Sequence, residues 1–193
     1  MSRIVFSILI GLGLMTVNVQ AAEEIIASDV LAALTADWND DGSMDRAVLV
    51  NNRETDQADL YLYLGGEVAN DFKLAILKKD IAWVGSMWGT LPSLELSGKN
   101  SLLVKSANEA IGRNRWNQTI TLAYRNNNFV VAGFTYNAYD TLEPNAAGTQ
   151  CDINLLTGKG KLNGKAITVK DKTPLLQDWQ IEGILGACKV GED

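Results

Sequence analysis

WNQTITLAYRNNNFVVAGFTY, residues 116–136, reads as two β-strands joined by a polar turn. Along the first arm Trp116, Gln118, Ile120, Leu122 and Tyr124 share one face, and Asn117, Thr119, Thr121 and Ala123 share the other, because successive side chains of a strand alternate. The first face is mostly apolar and predicts a core; the second is small and polar. Between the arms stands Arg125-Asn126-Asn127-Asn128, and asparagine tolerates the positive φ that tight hairpins need.

The same alternation recurs on both sides of this hairpin. Further strand signals fall at 46–51, 58–64, 74–77, 81–84, 93–96, 102–106, 152–156 and 166–170, rich in Val, Ile, Leu, Thr and Tyr and punctuated by Asn and Gly. A second hairpin is written in Lys161-Leu162-Asn163-Gly164-Lys165-Ala166, with Asn163-Gly164 as a type I′ turn and the lysines marking a solvated edge. Helical periodicity is weak. Its best stretch is 25–34, where Ser28 and Asp29 make a strand or an irregular entry equally compatible. No fixed-period repeat is visible. The pattern predicts an all-β fold, built as a small propeller-like arrangement or as a two-sheet sandwich.

The N-terminus has a different character. Arg3 precedes an apolar run over 4–17 that is short and glycine-containing, and Val19-Gln20-Ala21 supplies small residues at −3 and −1. Residues 1–21 therefore read as a secretory signal peptide, with 22–193 as one all-β domain. Removal of the signal takes away Arg3 and moves the formal net charge from −6 to −7. An acidic chain without clustered Lys and Arg is not expected to bind nucleic acid. No later stretch is long and apolar enough to predict a membrane span. A soluble protein, periplasmic or secreted, is expected. In an oxidising compartment its two cysteines, Cys151 and Cys188, read as one disulfide. The chain contains no histidine, which excludes Ser-His-Asp and Cys-His nucleophilic arrangements and leaves a zinc site short of ligands.

One motif carries chemistry. Residues 37–45 read Asp37-Trp38-Asn39-Asp40-Asp41-Gly42-Ser43-Met44-Asp45, with oxygen side chains at positions one, three, five and nine and glycine at six. A calcium ion takes about 6–8 oxygen ligands, and the loop offers Asp37, Asn39, Asp41, Asp45, the carbonyl of Ser43, and waters. Position twelve, where an EF-hand places its bidentate Glu, is Val48, so the loop is EF-like and opens onto a strand. The competing reading is an Asp/Asn-rich turn without metal. Bound Ca²⁺ would be structural, since clustered carboxylates repel one another without a cation.

This loop, followed by Ala47-Val48-Leu49-Val50, a polar turn, and Leu60-Tyr61-Leu62-Tyr63-Leu64-Gly65, resembles the FG-GAP or VCBS-type calcium-loop repeats of integrin-like and bacterial β-propeller proteins. The likeness covers about residues 29–65, in one copy, with Arg46 where such repeats place an apolar residue. It implies the metal and a local strand-loop-strand unit. It also implies, by analogy with small periplasmic proteins carrying one such loop, an inhibitor or immunity protein of a cell-wall lytic enzyme.

Two further features bear on function. Trp83 and Trp88 lie in a glycine-containing loop over 83–92 that reads either as core plugs or as an exposed recognition surface. Glu95, Glu109, Asp140, Glu143 and Asp152 are the carboxylates from which a glycan-active enzyme would draw its pair. The reading favoured is a calcium-binding, non-catalytic module for an envelope protein or glycan. The alternatives are a carboxylate-based glycan-active enzyme and a structural or adhesive envelope component.

Overall fold

The strands follow one another as antiparallel neighbours. The computed structural model describes residues 25–68, 71–98, 100–143, 145–170 and 172–190, so the signal peptide expected over 1–21 lies outside the described residues. A single 3-10 turn, Ala27–Asp29, leads into β1 (Val30–Ala36), β2 (Asp45–Asn52), β3 (Gln57–Gly65) and β4 (Phe72–Trp83), which pair in that order as a four-stranded sheet. Then come β5 (Ser93–Ser97), β6 (Ser101–Asn108), β7 (Asn114–Arg125), β8 (Asn128–Asp140), β9 (Thr149–Asn154), β10 (Lys159–Leu162) and β11 (Lys165–Thr168). These seven form the second sheet, in the order β11-β10-β9-β8-β7-β6-β5. A short helix, α1 (Ile181–Ala187), follows.

Alternation writes the core. Ala47, Leu49, Leu60 and Leu62 of the first sheet join Leu102, Val104, Ile120, Leu122, Val131, Phe134 and Ile153 of the second in one buried cluster, which α1 reaches through Ile184. Each fully buried Leu, Ile or Phe side chain contributes about 1.5–3 kcal/mol. Two antiparallel sheets sharing one core correspond to the sandwich alternative; a propeller would need blades set around an axis.

Both predicted hairpins are present. Asn126 and Asn127 have φ of 51° and 60°, and Asn163 and Gly164 have 48° and 77°, the paired positive values of type I′ turns. The solvated edge is β11, which carries Lys165.

Other expectations are corrected. The stretch 25–34 is a 3-10 turn and a strand, because β1 pairs with β2 from Val30 to Ala36 and that pairing decides between the local alternatives. The separate strands expected at 74–77 and 81–84 are one strand, β4, interrupted by a bulge opposite Asp59 where Asp80 takes φ 53°. The strand expected at 152–156 begins at Thr149 and ends at Asn154. Helix α1 had no periodic signal: its seven residues include Gly183 and Gly186, and so short a helix depends on docking.

Candidate functional site

Trp38 organises the 37–45 loop. Its ring is buried and meets Phe129 edge-on at 6.4 Å, while its backbone N–H donates to Asp45 Oδ2 at 2.8 Å. The other oxygen of Asp45 accepts from Gly65 N–H at 3.0 Å, tying β2 to the end of β3. A Cβ on Gly65 would stand 2.4 Å from the Met44 carbonyl, so only glycine allows this approach. Asp45 is 0% exposed. Burial pushes its carboxyl pKa up, the two N–H donors pull it down, and the nearby charges of Asp41 and Asp37 push it up again.

The solvent side of the loop is tied by its own oxygens. Asp37 accepts from Asp41 N–H at 3.2 Å and Gly42 N–H at 2.9 Å. Asp41 accepts from Ser43 N–H at 2.7 Å and from Asn39 Nδ2 at 2.7 Å, contacts that hold its pKa low. Asp40 and Gly42 supply the sharp turn with φ of 58° and 86°. Among the described residues no three acidic or cysteine side chains are gathered tightly enough to hold a metal ion as they stand. Each oxygen of Asp45 already accepts one backbone N–H, from Trp38 and from Gly65.

Loop 83–92 separates its two tryptophans. Trp83 is half-buried against Trp116 at 5.5 Å, and Trp116 in turn stacks on Tyr136 at 6.3 Å, so Trp83 serves packing. Trp88 is 96% exposed, with Met87 at 51% and Leu91 at 59% beside it. The turn that presents Trp88 is rigidly built. Thr90 N–H donates to the Met87 carbonyl at 3.1 Å, and Gly89 with φ 83° meets the requirement at the third position of a type II turn. The fully buried Thr90 hydroxyl donates to that same carbonyl at 2.5 Å and accepts from Met87 N–H at 3.2 Å.

The cysteines form the expected disulfide, Cys151–Cys188, which joins β9 to the residue after α1. Of the carboxylates named for catalysis, Glu95 pairs with Lys105 at 2.6 Å. Asp140 and Glu143 share Arg113, which holds the Asp140 pKa low. Glu109 accepts from Tyr139 Oη at 2.8 Å, and Asp152 lies exposed on β9. The sequence reading passed over Asp59, which with Asp29 and Asp45 is one of three buried carboxyls among the described residues. Burial raises its pKa, and it accepts from Asp80 N–H at 2.8 Å across the β4 bulge. It also passed over Lys78, which is buried and donates to the Trp179 carbonyl, pinning the segment before α1 to the first sheet. Neither residue belongs to a motif, so no local pattern announced it.

Compared with known proteins, the chain matches no family model, no curated protein and no solved structure. No described helix is long and apolar enough to cross a membrane.

Proposed function

We propose that this chain is an exported, non-catalytic binding module that presents the Trp88 turn to an envelope protein or glycan and is stabilised by one calcium ion in the 37–45 loop. The observation that carries the reading is Trp88 itself, 96% exposed on a turn that is locked from beneath by Thr90. Because the backbone of the turn is already fixed, docking the Trp88 ring has to order little beyond that side chain, which is what a recognition anchor requires. With a protein partner, the FG-GAP-like loop points to inhibition of a cell-wall lytic enzyme as the specific activity.

The donor set fits calcium. Asp37, Asn39, Asp41, the Ser43 carbonyl and Asp45 are all hard oxygens, and each carboxylate oxygen that accepts one N–H keeps a second lone pair. The three carboxylates have no ion-pair partner among the described residues, and the charges of Asp37 and Asp41 already bear on the buried Asp45. A divalent ion would neutralise that repulsion and stiffen the loop; its role is structural.

The test uses immobilised mature protein and periplasmic extract, in calcium or in chelator. Wild type in calcium is expected to retain a defined envelope protein or glycan, with retention reduced by chelator and abolished by Trp88→Ala. Calorimetry should show one calcium per chain, lost in Asp41→Ala. Equal retention by Trp88→Ala would remove the turn from recognition, and absence of calcium uptake would remove the metal.

A further inference from the structure

We propose that the outward face of the seven-stranded sheet is a glycan-binding track, running across β5 to β10 and taking an extended, uncharged polysaccharide. This rests on the binding-module reading and names its ligand class. Two depressions lie on that face. One, of about 320 Å³, is bordered by Leu91, Ser93, Lys105, Asn117 and Thr119. The other, of about 380 Å³, is bordered by Thr135, Asn137, Gln150, Asp152 and Lys161.

The strand register makes them neighbours. Asn117 stands directly opposite Asn137, and Thr119 opposite Thr135, so the two hollows lie on either side of the β7–β8 ladder. The register continues outward in both directions. Ser93, Lys105, Thr119, Thr135, Asp152 and Lys161 form one unbroken row over six strands, with Asn117, Asn137 and Gln150 in the row beside it. Five inter-strand steps of about 4.8 Å make a path of roughly 24 Å, several sugar rings long. Elsewhere the same face is closed: Leu175 packs on Ala123, Val130 and Ala132.

The chemistry of the track is complementary to a neutral polyhydroxylated chain. Its charges are of both signs: Lys105 pairs with Glu95 at 2.6 Å, Asp152 stands opposite Lys161, Arg115 stands opposite Tyr139 in the next row, and past that row Arg113 pairs with Asp140 and Glu143. Between these charges, Ser93, Thr119, Thr135, Asn117, Asn137 and Gln150 present hydroxyl and carboxamide, groups that both donate and accept, as sugar hydroxyls do. A polyanion would meet Glu95, Glu109 and Asp152 on a chain of net charge −6. The side chains are held in place before any ligand arrives. Asn137 Nδ2 donates to Asn117 Oδ1 at 3.1 Å, Asn117 Nδ2 to Glu109 Oε1 at 3.4 Å, and Tyr139 Oη to Glu109 Oε2 at 2.8 Å. Tyr139, 48% exposed, and Leu91, 59% exposed, offer apolar surface for the CH faces of sugar rings.

The experiment titrates the mature, disulfide-bonded protein with cello-, chito- and manno-hexaose, and with the polyanions heparin and polygalacturonate. At least one neutral hexaose is expected to bind. Asn117→Ala/Asn137→Ala should weaken it about tenfold or more, the scale of two lost hydrogen bonds. Side-chain amide resonances of Asn117, Asn137 and Gln150 in the wild type should shift on addition, a readout independent of the variant's folding. Binding of polyanions alone, or of none of the five probes, overturns the proposal, as does hexaose binding that leaves these amides unmoved. If an envelope protein is nevertheless captured through Trp88, the track is wrong and the binding-module reading stands; if neither glycan nor protein is retained, both fall.

Discussion

Asp59 is a carboxyl that the fold places against its own charge. It is buried beside the β4 bulge, its Oδ1 is held by Asp80 N–H, and its pKa is raised chiefly by burial and further by the Asp80 charge. The native state therefore binds this proton more tightly than the unfolded chain does. The stability it contributes is full below the ordinary carboxylate range and is lost as pH rises through the raised value. A carboxamide in its place would keep an acceptor for Asp80 N–H without the charge. Asp59→Asn is accordingly expected to melt higher relative to wild type at pH 7 than at pH 3.5, measured by calorimetry at both; an unchanged difference would contradict the assignment. Single residues were legible in the sequence where spacing gave them meaning. Asp37, Asn39 and Asp41 do line one loop, while Asp45, at the right spacing, turns inward to Trp38 and Gly65 because the chain around it packs there. Asp59 and Lys78 were illegible, since the burial that perturbs each, and the partner each bonds, come from how distant segments pack.

The Trp88 turn is an element whose shape depends on small residues around it. A Cβ on Gly85 would lie 2.2 Å from Thr90 Oγ1 and 2.6 Å from the Trp83 ring, so Gly85→Ala must displace the threonine that locks the turn. Overpacking of this kind costs about 1–3 kcal/mol. The expected result is faster amide exchange at Met87 and Thr90, whose N–H groups the turn holds, with exchange in β7 and β8 unchanged; protection retained at both amides would show that the turn is not braced in this way. At this scale hairpins were the most readable features, because Asn126-Asn127 and Asn163-Gly164 adopt positive φ from local chemistry. Bulges were not. The one near Gly133 lets Phe129 and Val131 face the core on one side of it and Phe134 and Tyr136 on the other, a change of parity that simple alternation does not encode.

Across the whole molecule, Cys151–Cys188 fastens α1 and the segment before it to the seven-stranded sheet. It closes a span of 37 residues, for which loop entropy gives a stabilisation of roughly 4 kcal/mol. Cys151→Ala/Cys188→Ala should lower the urea midpoint by a corresponding amount and expose Trp179, seen as a red shift in its emission, while the strand content by circular dichroism stays native. A midpoint unchanged by the double substitution would mean that Lys78 and the packing of Ile184 hold this region unaided.

By itself the sequence determined that the chain is all-β, where most strands lie, which turns are tight, and which two sulfurs can join, because alternation, turn propensity and a lone cysteine pair are local or combinatorial properties. The tertiary structure alone decided the division into four and seven strands, the packing of Trp83 against the exposure of Trp88, and the inward turn of Asp45. Each of those depends on which distant face a side chain meets, and a strand's periodicity says only that it has two faces.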